Sequence, residues 1–252
     1  MPRLALILGF IMLSGRPVAG NPPEGLSEQD WSGIKEAHAK WRHSFQQDDD
    51  AWTARNPRQQ WLARFDSRGF TAIPDGQTWK WGLELKSYGF SGSEVRMTGG
   101  APSRVENGRL VRDWDAVLQE WHINDARGLE HGFVVREAPA PGVLPDDLLH
   151  FRLAVRGSLS SRVSADGRDV VFEDEFAVAR VRYSGLKVWD AAGRILEASF
   201  CREPGGGLRL TVDAAGACYP LTVDPIAQQA RLKAASPGAG DRFGDSVAIY
   251  ES

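Results

Sequence analysis

The chain has 252 residues, 42% hydrophobic and 25% charged, a composition that suits one large or two modest soluble domains. Its 33 acidic and 30 basic side chains leave a net charge of −3, and without a basic run they offer nucleic acid no electrostatic footprint. Beyond the first twenty residues no stretch is apolar enough to span a bilayer, so no transmembrane segment is expected.

Met1-Pro-Arg3 is a short basic start, Leu4 to Leu13 an apolar core, and Ser14 to Gly20 a small-residue tail. These are the three parts of a secretory signal peptide, with cleavage after Gly20. About ten apolar residues are too few for a membrane anchor. Loss of Arg3 and Arg16 would leave 33 acids against 28 bases, a net of −5. Lysine supplies only six of the thirty bases, so the positive surface is largely guanidinium, suited to pairing with carboxylates.

Residues 21–50 read as a helical lead-in. Ser27-Glu-Gln-Asp30 resembles a capping box, and Trp31, Ile34, His38, Trp41 and Phe45 recur at helical spacing as one apolar stripe, with His38 at the edge of the core. The helix should stop before Asp48-Asp-Asp50. That triplet reads as a solvated boundary, because cation loops interleave their acids with other residues and a glycine.

From Trp52 the period changes to two. Trp61, Ala63 and Phe65 fall on one strand face, and Trp79, Trp81, Leu83 and Leu85 on another, with the turn Pro74-Asp-Gly76 between them. Tyr88 to Gly92 reads as a loop, Leu110 to Trp114 as a short strand or turn, and Asp115 to Trp121 leans to strand. A Pro-rich loop at Ala138–Pro145 marks a sub-boundary near residues 138–148. Phe151, Leu153 and Val155 then alternate with arginines. Turns at Ala165–Arg168, Asp190–Gly193 and Asp213–Gly216 separate strands at Asp169–Phe172, Phe176–Tyr183, Leu186–Trp189, Ile195–Cys201, Leu208–Asp213 and Tyr219–Asp224. This antiparallel meander with one buried face needs a second layer. The expected fold is mainly β, an antiparallel β-sandwich built from hairpins with a short N-terminal helix, over residues 51–226.

The chemistry-bearing residues are sparse. Five histidines (His38, His43, His122, His131, His150) are scattered without metal-ligand spacing, so no metal site is expected. Trp121-His-Ile-Asn-Asp125 with Glu130-His131 is the most tempting cluster for acid–base chemistry. Adjacent strand residues point to opposite faces, however, so Glu130 and His131 should not act together. Ser184-Gly-Leu-Lys187 matches an SxxK pattern but lacks its companion motifs and reads as the start of a strand. No catalytic residue is expected. Of the nine tryptophans, Trp61, Trp79, Trp81 and Trp189 alternate with polar residues as core positions, and Trp114 and Trp121 are the candidates for an exposed sugar-stacking face. Cys201 and Cys218, in an exported chain, suggest a disulfide, yet the strand reading puts them at opposite ends of one strand, too far apart to bridge without a large twist.

Several phrases together resemble one family: Trp52 to Trp61, Trp79 to Leu85, Asn124 to Phe133, Tyr183 to Asp190, Tyr219 to Pro225 and Gln228 to Ala234. They look like the N-terminal β-rich region of bacterial secreted FG-GAP (integrin-α-like) repeat proteins. After a linker at 227–240, residues 241–252 look like the incomplete start of a propeller blade, with Asp241, Phe243, Gly244 and Ser246 at its turn. The resemblance implies a non-enzymatic secreted or cell-surface module preceding a β-propeller, in adhesion or binding. Its partners would be downstream blades or an extracellular protein or glycan. It implies no cofactor, with Ca²⁺ expected only in downstream blades. A carbohydrate-binding or sugar-processing sandwich is the other expectation.

Overall fold

A computed structural model describes residues 22–140 and 148–230. The signal peptide with Gly20, most of the linker, and the blade start at Asp241, Phe243, Gly244 and Ser246 lie outside the described residues. The chain divides into two compact units, one up to Trp41 and one from Arg42. The first carries nearly all of a helix, α1 (Glu28–Arg42). Ser27 Oγ accepts the Asp30 backbone N–H at 3.1 Å, the cap expected from the sequence. The stripe is shorter than its spacing suggested. Trp31 is buried, whereas His38 and Trp41 are exposed and stack on each other with ring centroids 6.0 Å apart, so His38 is not a core-edge residue.

Phe45 leaves the helical stripe because strand pairing takes over at β1 (Phe45–Asp48), where its ring meets Phe65 edge-on at 5.4 Å. Asp49 and Asp50 of the acidic triplet form the hairpin turn into β2 (Ala51–Asn56), with Asp49 at φ 50° and Asp48 paired to Arg64. The meander continues through β3 (Trp61–Phe65), β4 (Phe70–Pro74) and β5 (Trp81–Phe90). β4 was not foreseen, and Tyr88 to Phe90 extend β5 rather than forming a loop. β6 (Val95–Arg96) pairs with β5, and β11 (Leu148–Gly157), β16 (Leu208–Asp213) and β15 (Ala198–Arg202) complete a nine-stranded sheet in the order β1-β2-β3-β4-β5-β11-β16-β15.

The second sheet holds β7 (Ser103–Glu106), β8 (Arg109–Asp113), β9 (Leu118–Asp125), β10 (Gly128–Val135), β12 (Ser160–Val163), β13 (Val170–Glu173), β14 (Ala179–Trp189) and β17 (Leu221–Gln229). Its order is β12-β13-β14-β17-β10-β9-β8-β7, antiparallel throughout. β17 takes in the first three residues, 227–229, of the expected linker. Among the described residues the fold is thus mainly β, with two antiparallel sheets and one short helix, consistent with a β-sandwich. Rings from the two sheets meet in the core, Trp81 with Phe172 at 5.1 Å and Phe133 with Phe151 at 4.9 Å.

Two local features follow from single residues. The stretches read as separate strands around Ser184–Lys187 are one strand, β14, whose register shifts between Ser184 and Lys187 with Gly185 at φ +70°. The shift falls opposite Pro225, which has no N–H to donate to a ladder, so the bulge relieves a bond that cannot form. The SxxK residues are therefore a strand irregularity. Gly132 is paired with Trp121, and a Cβ there would lie 2.2 Å from the indole and 2.4 Å from the Val223 carbonyl oxygen.

Gly132→Ala should therefore lower stability by about 1–3 kcal/mol, because both the Trp121 indole and the Val223 carbonyl must give way. Urea unfolding followed by tryptophan fluorescence checks this, and an unchanged midpoint would show that the ring and the neighbouring strand can both shift freely.

Candidate functional site

Strand alternation sends Leu110 and Arg112 of β8, Glu120, His122 and Asn124 of β9, and Leu129, His131 and Phe133 of β10 toward the other sheet. The register then does the assembly. Arg112 is the direct partner of Glu120, and His122 that of His131. The two imidazoles stack in parallel, 4.8 Å apart at 3°. His122 and His131 are thus not scattered in space, whatever their spacing along the chain.

Glu120 organises the group. Its Oε1 accepts from His131 Nε2 at 2.8 Å, and its Oε2 accepts from Arg112 Nη1 at 3.0 Å and Trp114 Nε1 at 3.1 Å. His131 Nδ1 lies 2.9 Å from the Tyr183 hydroxyl on β14. Arg112 Nη2 donates to the carbonyl oxygen of Asp66, at the β3–β4 turn of the opposite sheet. His122 Nε2 lies 3.9 Å from Glu120 Oε1 and has no hydrogen-bond partner. Side-chain exposure in Arg112, Glu120, His122 and His131 is 3% or less. Phe65 and Phe70 of the first sheet close over His122, and Phe70 and Phe133 over His131.

These surroundings set the charges. Burial alone would raise the Glu120 carboxyl, but the His131 hydrogen bond and the nearby Arg112 charge hold it well below the usual carboxylate range. Burial, with His131 beside it, pushes His122 well below the usual imidazole range, so its ring is neutral. Burial and the Glu120 charge raise the Tyr183 hydroxyl, which stays protonated. Glu120, His122 and His131 each bring one donor atom within 4.8 Å of the other two, a grouping able to hold a metal ion.

The opposite face of this sheet carries Glu130 and Trp121. Glu130 turns away from His131, as alternation required, and ion-pairs with Arg127. Burial raises both Glu130 and Asp224, and the Asp224 charge adds to the rise at Glu130. Trp121 is 2% exposed, with the Arg109 guanidinium 4.8 Å above its ring, so it presents no open face to a sugar. Trp114 is half-buried, hydrogen-bonded to Glu120 and covered by Arg112 at 5.1 Å. Neither of these two tryptophans is a free stacking platform. On the first sheet, Ser91 Oγ and His150 Nε2 lie 2.8 Å apart, but His150 Nδ1 meets the Thr211 hydroxyl at 3.1 Å, where a catalytic triad would place a carboxylate. Cys201 and Cys218 are free thiols. Sequence reasoning missed Glu120, Arg112 and Tyr183. The available signal was a polar run, Glu120-x-His122-x-Asn124, on a strand face that the flanking Leu118 marks as core.

No known protein family, curated protein or solved structure matches this chain.

Removing one partner of a buried ion pair leaves the other charge uncompensated. Arg112→Ala should lose about 3–5 kcal/mol, whereas Arg64→Ala, which breaks an exposed pair with Asp48, should lose no more than about 1 kcal/mol. Equal losses by urea titration would show that the buried pair contributes nothing special.

The pH dependence follows from His122. Its folded pKa is depressed, so its contribution is complete above about pH 6.5 and is lost as pH falls, because the unfolded chain takes up a proton that the buried ring refuses. In metal-free buffer the urea midpoint should drop between pH 7.5 and pH 5. The drop should be smaller in His122→Phe, whose ring suits Phe65 and Phe70. Parallel pH profiles for the two proteins would contradict the assignment.

Proposed function

We propose that this chain is an exported, non-enzymatic β-sandwich module that serves as a structural scaffold ahead of an FG-GAP propeller, presenting its blades or packing against them. The observation that supports the reading is the direction in which the strongest charge constellation works. Arg112 joins Glu120 of one sheet to the Asp66 carbonyl of the other, and the carboxylate, imidazole and indole of that group bond to one another inside the core. Acid–base catalysis needs a substrate within hydrogen-bond reach of the working group. This group instead ties two layers together.

A second buried set acts in the same way. Asn56 Nδ2 of β2 donates to Asn124 Oδ1 of β9 at 2.8 Å and to the Asp125 carbonyl at 2.7 Å. Asn124 Nδ2 donates back to the Arg55 and His43 carbonyls at 2.8 and 3.0 Å. Gln59 adds bonds to the Arg127 carbonyl at 3.0 Å and from the Gln229 N–H at 2.8 Å. Sheets locked through directional bonds resist sliding, which suits a module that holds neighbouring domains in place.

The test is the reading frame beyond Ser252 together with the behaviour of the longer product. The frame should encode further Phe-Gly/Gly-Ala-Pro blades, mass spectrometry should find the exported chain beginning at Asn21, and attaching the blades should raise the melting temperature of the module. A frame without blades, or a module whose melting is indifferent to them, would overturn the reading.

A further inference from the structure

We infer that Glu120, His122 and His131 form a buried zinc site, with Glu120 Oε1 and the two imidazole Nε2 atoms as ligands. The argument rests on which atoms have partners. Glu120 Oε2 is taken by Arg112 and Trp114, and His131 Nδ1 by Tyr183. What remains pointing into the centre is Oε1, His131 Nε2 and the orphaned His122 Nε2. Metal-ligating histidines characteristically bond their other ring nitrogen to a neighbour, and ligating carboxylates have their second oxygen held. Glu120 and His131 already make these outer contacts here.

His122 Nε2 supplies the independent observation. A buried polar atom without a partner costs about 1–3 kcal/mol, and this one lies on a ring stacked against His131, 3.9 Å from the carboxylate oxygen. Two nitrogen donors and one carboxylate oxygen make a set that zinc accepts with a fourth position left open, at bond lengths of about 2.0–2.2 Å. Ligand atoms around such an ion are roughly 3.3 Å apart. The Glu120–His131 contact of 2.8 Å would therefore open slightly, while His122 moves inward from 3.9 Å.

The proton accounting closes. An ionised carboxylate only accepts, so His131 Nε2 carries the hydrogen shared with Glu120. When zinc takes the Nε2 lone pair, that proton must leave Nε2. The ring can then carry a hydrogen on Nδ1 and donate it to the Tyr183 oxygen, because a hydroxyl serves as donor or acceptor. Zinc also brings two positive charges beside Arg112. A hydroxide in the fourth position removes one of them, as zinc lowers the pKa of its water to about 7. With its ligands almost without exposure, the site should load as the sandwich folds and release its ion slowly.

The experiment is refolding of the full chain from denaturant with Zn²⁺ or with chelator, followed by dialysis against chelator. The zinc-refolded protein should retain one equivalent of zinc by elemental analysis and melt at a higher temperature than the chelator-refolded sample. Refolding with Co²⁺ should give the visible d–d absorption of a tetrahedral site. His122→Ala should abolish retention and the absorption, and His150→Ala should preserve both. Wild-type protein that refolds in chelator and zinc alike, keeps no stoichiometric metal and melts at the same temperature in both would overturn the assignment. That comparison needs no variant to fold.

Discussion

The Arg112–Glu120 pair is the constraint on which the centre of this molecule depends. A carboxylate at 1% exposure is tolerable only where charge and hydrogen bonds replace its water, and Arg112, Trp114 and His131 do so from three sides. The arginine is bound to the same requirement. Its second terminal nitrogen reaches the Asp66 carbonyl across the core, so neutralising Glu120 and linking the sheets are one act. A well-packed apolar set could hold the sheets together as firmly. What the polar set adds is directional registration, because a strand slipped by one residue would turn every one of these groups outward.

The same geometry explains why the sandwich carries two kinds of interior. Around Trp81, Phe172, Phe151 and Leu210 the core is apolar, and its stability comes from buried area and close packing. Around Glu120 and around Asn56–Asn124 it is polar, with Glu120, His131, Asn56 and Asn124 held by named partners. Two atoms of the Glu120 network, His122 Nε2 and Arg112 Nε, are buried without a hydrogen-bond partner. The His122 atom, on a ring stacked against His131 and 3.9 Å from the Glu120 carboxylate, has a chemical explanation in a ligand set, which joins the local defect to the zinc inference.

On the opposite face of the second sheet, arginine lies close to the aromatic and acidic side chains. Arg109 covers Trp121, and Arg127 ion-pairs with Asp125 and Glu130. A lysine-poor, arginine-rich composition is spent on planar stacking and carboxylate pairing, uses for which guanidinium is better shaped than ammonium. The tryptophans that alternation alone could not place, Trp114 and Trp121, are both capped in this way.

The amino-acid sequence by itself determined the mainly β class, the helix cap at Ser27, the inward faces of β3, β5, β11 and β16, and the opposed directions of Glu130 and His131, because each follows from local periodicity or a single capping residue. It also held two signals that the expected elements did not use. Asn107-Gly108, with both residues at positive φ, turns β7 into β8, and the two-residue loop Ala126-Arg127 sets Asp125 opposite Gly128, from which His122 opposite His131 follows by counting. Only the tertiary structure decided that Glu120 meets His131 across eleven residues and that Tyr183 arrives from 52 residues further on. It also decided that Arg112 reaches Asp66 in the other layer. Period two assigns a side chain to a face; which groups share that face, and which strand lies beside which, is set by non-local pairing and by the closing of one sheet over the other.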